Sequence, residues 1–278
     1  MLSPRFVFRP LGLTGALGLA ACLPPFGATA ACTLKQMPEA VLARRALDGD
    51  TVLLADGREV RLAGVAAPRT PLGVPAGAWR LDEDSRAALE SAVAGKALAL
   101  RPAAAKPDRH GRVLGFLAPA DSTDHAGVAS ELLAKGLLRW LADRTGRDCG
   151  ATLLASEEPA RSQRLGLWSD PYYEVRDAAD GAAFADRTGA FVVAEGRVAS
   201  VRSASGRTYV NFGRRWRDAL SLVFSEAALA RLGGVAALRI ETGARLRVRG
   251  VIERRAGPII AIAEAGQVER IGDSGRKR

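Results

Sequence analysis

A mainly β fold with packed helices, in the α+β class and arranged as two units in series, is what the sequence predicts. Three observations predict it. Residues 51–54 and 59–62 are rich in β-branched and apolar side chains around Asp56-Gly57, the pair that favours a type I′ hairpin turn. Apolar residues at helical spacing recur between residues 84 and 165. Beyond residue 189, short apolar runs alternate with glycine turns, the pattern of a small barrel.

The elements follow in order. Arg5 and Arg9, an apolar run over residues 11–23 and Ala28-Thr29-Ala30 form the pattern of a signal peptide over residues 1–30, which predicts export to the periplasm or exterior and cleavage after Ala30. Leu19-Ala20-Ala21-Cys22 also resembles a lipoprotein box, and the alternative is a lipid anchor at Cys22. Asp48-Gly49-Asp50 sets two carboxylates before the first hairpin strand, and Arg61 sets a guanidinium on the second. A Pro- and Gly-rich loop over residues 70–78 leads to a helix over 84–95, with Asp82, Glu83, Asp84 and Ser85 at its start and Gly95 as its stop. Strands are predicted at 97–101 and 113–117, and helices at 128–141 and 151–165, with Trp140 and Trp168 on apolar helical faces.

Between residues 172 and 189 the apolar periodicity disappears, which predicts a linker between a first domain over 38–171 and a second over 190–272. Second-domain strands are predicted at 191–193, 196–198, 209–212, 220–224, 245–254 and 258–263, with a helix at 226–232. Tyr209, Phe212 and Trp216 interleave with Arg207, Arg214, Arg215 and Arg217, so that segment is either an aromatic, basic platform for single-stranded nucleic acid or ordinary strand core. Residues 273–278 form a basic tail.

The net charge of +10 falls to +8 once Arg5 and Arg9 leave with the leader. A hydrophobic content of 48% supports real cores and excludes a disordered chain, and the basic balance favours polyanion partners such as nucleic acid. No run beyond the leader is long enough to span a bilayer. With Cys22 in the leader or lipidated, Cys32 and Cys149 remain as a pair for which a disulfide is the simplest outcome, two unpaired small hydrophobes being the alternative.

Four motifs carry a resemblance. Asp48-Gly49-Asp50-Thr51 with the segment from Asp56 to Pro68 resembles the core of the thermonuclease, or staphylococcal-type nuclease, family. Asp108-Arg109-His110-Gly111-Arg112-Val113, the segment from Glu131 to Leu137 and the stretch from Ala160 to Trp168 resemble its later motifs in order and spacing. The resemblance implies a five-stranded OB-like barrel, calcium-dependent phosphodiester hydrolysis and nucleic acid as partner. A fainter likeness in residues 206–216 and 245–262 implies a second OB-like barrel, as in some secreted bacterial relatives.

By motif position the resemblance assigns the metal to Asp50, with Asp48 assisting, and the attacked phosphate to Arg61 and Arg112, while Arg109 is a plausible phosphate contact. The family's second metal aspartate falls at Ala66 and its general base at Arg69, so both side chains are missing. Ala67 retains a carbonyl for metal. Asp48 and Asp50 against Arg61, Arg69 and Arg112 leave +1 before any metal, and calcium would raise that to +3. Like charges about 6 Å apart repel by roughly 0.7 kcal/mol even in bulk water, and calcium prefers several anionic oxygens. Weak or absent Ca²⁺ binding and weak or lost hydrolysis are therefore expected, with the arginines, Arg69 among them or else in solvent, holding phosphate. The alternatives are an active calcium-dependent endonuclease with a substitute carboxylate (Glu59, Asp82 or Glu83) and a periplasmic protein-interaction scaffold.

Overall fold

The computed structural model describes residues 32, 34, 36–71, 73–75 and 78–272. The expected leader with Cys22 and the basic tail lie outside them.

The first unit contains β1 (Glu39–Ala46), β2 (Thr51–Leu54), β3 (Glu59–Leu62), β4 (Val65–Ala66), α1 (Leu81–Val93), β5 (Ala97–Pro102), β6 (Val113–Pro119), α2 (Gly127–Ala134), β7 (Arg139–Trp140) and α3 (Gly150–Ser162). Five strands close a barrel in the order β1-β2-β3-β6-β5, as expected. Closure depends on β1, whose first half pairs with β5 and whose second half, past an irregularity between Ala43 and Arg45, pairs with β2. Alternation turns Val52, Leu54, Val60 and Leu62 into the core.

The hairpin forms where predicted, but its turn differs. Gly57 alone of the loop has positive φ, and Leu54 accepts from Gly57 N–H while its own N–H donates to the Arg58 carbonyl. That is a type I turn with a left-handed glycine after it, fixed by Asp56 Oδ1, which accepts from Arg58 N–H at 2.9 Å.

The second helix also stops earlier than its periodicity predicts. Gly136 adopts φ 69°, with its N–H donating to Leu133 O and that of Leu137 to Leu132 O, a Schellman termination. Trp140 therefore lies on a short strand, not on a helix. Helix α1 starts at Leu81, which puts Asp82, Glu83 and Asp84 in the first turn and leaves Ser85 inside, donating to Leu137 O at 2.8 Å.

The second unit contains β8 (Arg176–Asp177), β9 (Phe191–Arg197), β10 (Ser200–Ala204), β11 (Arg207–Asn211), β12 (Ser221–Ser225), α4 (Glu226–Arg231), α5 (Gly234–Ala237), β13 (Arg245–Arg254), β14 (Pro258–Ile262) and β15 (Val268–Arg270). Its sheet runs β10-β11-β12-β14-β13-β9-β8, with β15 on β13. Apart from β8, which pairs parallel with β9, this repeats the first barrel's connectivity, with β12 and β14 parallel here as β3 and β6 are there. Strands β9 and β10 together play the part of β1. At Val198 and Ala199 the chain leaves β13 and crosses to β11, Val198 N–H donating to Ala244 O and Ala199 N–H to Asn211 O. The sheet thus curls round its core as a half-barrel, and the closed second barrel that the fainter likeness implies is not shown.

Residues 172–189, expected as a linker, are folded onto this sheet. Strand β8 pairs with β9, and Phe184 and Ala178 are fully buried in the second core. The two units meet through charged groups. Glu157 on α3 and Arg249 on β13, both buried, form an ion pair at 2.8 Å, and Arg249 donates to Trp140 O and lies over its ring. Arg147 holds Glu264, and Arg247 reaches Glu158. A disulfide joins Cys32 to Cys149 at the start of α3.

Candidate functional site

The site lies where the β1–β2 turn, β3 and the loop after β4 converge on α1. Gly49 is needed because a Cβ there would stand 2.3 Å from Ser85 Oγ and 2.6 Å from Ala67 Cβ. With no side chain between them, the turn seats against helix and loop, which buries the next residue.

Asp50 is that residue, and it is fully buried. Its Oδ2 accepts from Ala67 N–H at 2.9 Å and faces Arg61 Nη2 at 3.4 Å; its Oδ1 accepts from Arg69 Nη2 at 3.1 Å and Thr51 Oγ at 3.2 Å. Asp48 accepts from Asp50 N–H at 2.9 Å and from Arg69 Nη1 at 3.0 Å. Arg69, standing at the motif's general-base position, thus spans both carboxylates with the two arms of one guanidinium. Its side chain stays 56% exposed on its outer side. Arg61 also approaches Val65 O at 3.5 Å.

Burial pushes the Asp50 carboxyl above the ordinary aspartate value, against the pull of Arg61, Ala67 N–H and Arg69. Asp48 is also penalised by burial, but Asp50 N–H and Arg69 hold it below that value. Arg69 loses some solvation, yet Asp50 and Asp48 hold its guanidinium above the usual arginine value. The three groups form an internally neutralised cluster with Arg61.

Ala66 carries no donor side chain and pairs in β4 with Arg139 of β7, while Ala67 meets the site through its N–H, donated to Asp50. Among the described residues, no three His, Cys, Asp or Glu side chains come together to hold a metal ion. Asp82 and Glu83 line a pocket of about 320 Å³ with Asp48 and Arg69, and Asp82 is tied to Thr70 Oγ. Glu59 is exposed on β3.

Arg112 pairs with Asp108 and not with Asp48 or Asp50. The β3–β6 register sets Arg61 opposite Leu114, and Arg112 precedes Leu114 by two residues. Its guanidinium is held by Asp108 at 2.7 and 2.9 Å, and Asp108 also caps the turn by accepting from the N–H groups of His110 and Arg112. Slight burial opposes ionisation of Asp108, but Arg112 and these N–H groups bring its pKa down to about 2. Arg109 is exposed and donates to His110 Nε2 at 3.0 Å. The surplus of +1 expected from five charged residues is therefore removed by a sixth, Asp108. An Asp four residues before an Arg across a tight turn was the signal for this pairing.

Comparison with known proteins follows the same outline. The model of a family described as staphylococcal nuclease homologue matches residues 59–170, from β3 to the end of the first unit. The micrococcal nuclease of Shigella flexneri is 31% identical over 135 residues, which cover 46% of this chain and 72% of that protein. The family match begins just past Asp48 and Asp50 and leaves the second sheet outside it.

Proposed function

The chain belongs to the staphylococcal nuclease family, and from that premise we propose that it is an exported protein that binds phosphodiesters and nucleic acid, with hydrolysis weak or lost. One observation carries this reading: the Arg69 guanidinium bridges Asp48 and Asp50.

That bridge bears on both chemical requirements of the family. Calcium takes 6 to 8 oxygen ligands, several of them anionic. Here two carboxylates converge, and both already accept from Arg69. The residues present do not fit the ion. A general base must take a proton, and a guanidinium stays protonated at any working pH. Arg69 is chemically unable to do the work of the glutamate it replaces.

Phosphate recognition survives better. Arg61 and Arg69 keep N–H groups that Asp50 and Asp48 do not use, and Arg109 has no acidic partner among the described residues. Such planar donors suit a phosphodiester through paired, charge-assisted bonds. Export is supported by the predicted leader and by the Cys32–Cys149 disulfide, a bond that persists in oxidising compartments.

A second reading is favoured by Asp82 and Glu83, which share a pocket with Asp48. With Arg69 swung outward, one of them would serve as substitute carboxylate for an active endonuclease. Titration of the protein with a dialkyl phosphate, followed through the arginine side-chain N–H signals by NMR in the presence of chelator, tests the first reading. Shifts of the Arg61 and Arg69 signals without metal are expected. Signals that move only once Ca²⁺ is added would overturn it in favour of the enzyme.

A further inference from the structure

The second unit carries a surface that the family match leaves out. In strands β11, β12 and β14, Val210, Leu222, Phe224 and Ile260 point into the core and are buried. The opposite face carries two cross-strand rows. One is Ser200–Asn211–Ser221–Ile259 and the other is Arg202–Tyr209–Val223–Ala261. The first row is locked by hydrogen bonds, Asn211 Nδ2 donating to Ser200 Oγ at 3.0 Å and Ser221 Oγ to Asn211 Oδ1 at 2.9 Å.

Above these rows lies a groove of about 490 Å³, within the range of ligand sites. Tyr209, Val223 and Ile259 give it an apolar floor, and Arg202, Arg214, Trp216 and Arg255 stand round it. Phe212 is core, but Trp216 is 47% exposed, so the aromatic residues of this segment divide between the two roles open to them. The backbone of Trp216 packs on the chain at Gly257, where a Cβ would stand 2.7 Å from Trp216 O. Arg217 lies over the indole, 5.2 Å from its centroid.

Charge is the second observation. Many arginines of this chain meet carboxylates, as at Arg58, Arg147, Arg247, Arg249 and Arg270. Arg202, Arg214 and Arg255 have no acidic partner among the described residues, and no acidic residue lines the groove. An exposed indole and a half-buried phenol beside three cations without acidic partners match a chain of flat bases on a polyanionic backbone. Duplex bases are already stacked and have no free face to offer.

We infer that this outer face is a second nucleic-acid site, separate from the arginine-bridged carboxylates, and that it takes single strands by stacking bases on Trp216 and Tyr209 and pairing phosphates with Arg202, Arg214 and Arg255. Stacking on an aromatic side chain is sequence-tolerant, so DNA and RNA strands are both ligands.

The test is fluorescence anisotropy of labelled oligo-dT and oligo-U with the purified protein, in an Arg61→Ala/Arg69→Ala/Arg109→Ala background that removes the phosphate contacts proposed for the first site. Single-strand binding is expected to persist there. Trp216→Ala should weaken it roughly 5- to 150-fold, with Trp216→Phe recovering most of the loss. Arg202→Ala and Arg214→Ala should each lower the slope of log affinity against log salt by about 0.7. Both positions and Trp216 are exposed, and circular dichroism checks that the variants fold. Unchanged affinity in Trp216→Ala would overturn the proposal, as would loss of all binding in the background variant. Equal competition by duplex DNA or polyglutamate would also overturn it, leaving only attraction between polyelectrolytes.

Discussion

Arg69 Nη2 lies 3.1 Å from Asp50 Oδ1, so a cation carried by the chain itself sits on the buried carboxylate to which the family resemblance assigns calcium. Its other arm reaches Asp48 at 3.0 Å. Cation and carboxylates are thus already matched within the protein. Reversing the two departures in the double variant Ala66→Asp/Arg69→Glu should create a calcium site. Thermal unfolding with and without Ca²⁺ checks this: at a hundredfold excess over Kd the ion would stabilise by about 2.7 kcal/mol, and the parent protein should show no such rise. A parent that Ca²⁺ stabilises equally would contradict the prediction.

Removing the bridge alone should expose its contribution. Arg69→Ala leaves Asp50 with Arg61 and Ala67 N–H but strips Asp48 of its cation. Because Arg69 is more than half exposed, the loss should be modest, about 1 kcal/mol by chemical denaturation. The Asp48 carboxyl should titrate higher in this variant by NMR, since Arg69 is one of the groups holding it down.

Asp108 should titrate at about 2, against an ordinary 3.8, in a carboxyl NMR experiment. Its folded value is the depressed one, so its stabilisation of the turn is complete above the unfolded value and is lost as pH falls from about 4 to about 2. Asp108→Asn should flatten that acid limb and free the Arg112 guanidinium, tightening salt-sensitive oligonucleotide binding. Binding that weakens would mean Asp108 is needed to position Arg112.

The buried Glu157–Arg249 pair should dominate the joint between the units. Glu157→Ala leaves Arg249 buried with only the Glu269 carboxylate, 4.0 Å away, and is expected to cost about 3 kcal/mol in urea unfolding. Glu157→Leu/Arg249→Met removes both charges and should recover most of that loss. A double variant no more stable than Glu157→Ala would refute the pairing as the source.

Gly49→Ala should destabilise by about 1 to 3 kcal/mol, because the new methyl meets Ser85 and Ala67 on two sides. In Gly49→Ala/Ser85→Gly one of those clashes is relieved, and thermal unfolding should show partial recovery.

Much of this was legible in the sequence for identifiable reasons. The hairpin is local, so alternation and Asp56-Gly57 located both strands, and only the turn's dihedral type needed the backbone. The barrel and Asp50, Arg61 and Arg69 followed from motif order. What Arg69 touches did not, since solvent and pocket were equally open to a residue in a proline-flanked loop. Its seat depends on Gly49 letting the turn meet that loop. Helix α2 was overextended because apolar spacing continued past Lys135-Gly136-Leu137, although that glycine marked the stop. Arg255 of the groove and the partners Glu157 and Arg249 meet across long sequence separations, through strand pairing that no local pattern reports.

The most direct measurement is cleavage of labelled single-stranded DNA and RNA by the purified protein, with Ca²⁺ and with chelator, beside an Arg61→Ala control. A guanidinium in place of metal and base predicts no turnover that depends on Ca²⁺, with equal behaviour in chelator. Chelator-sensitive turnover that disappears in Arg61→Ala would contradict it, and would mean that Arg69 leaves the carboxylates and another acid takes its place.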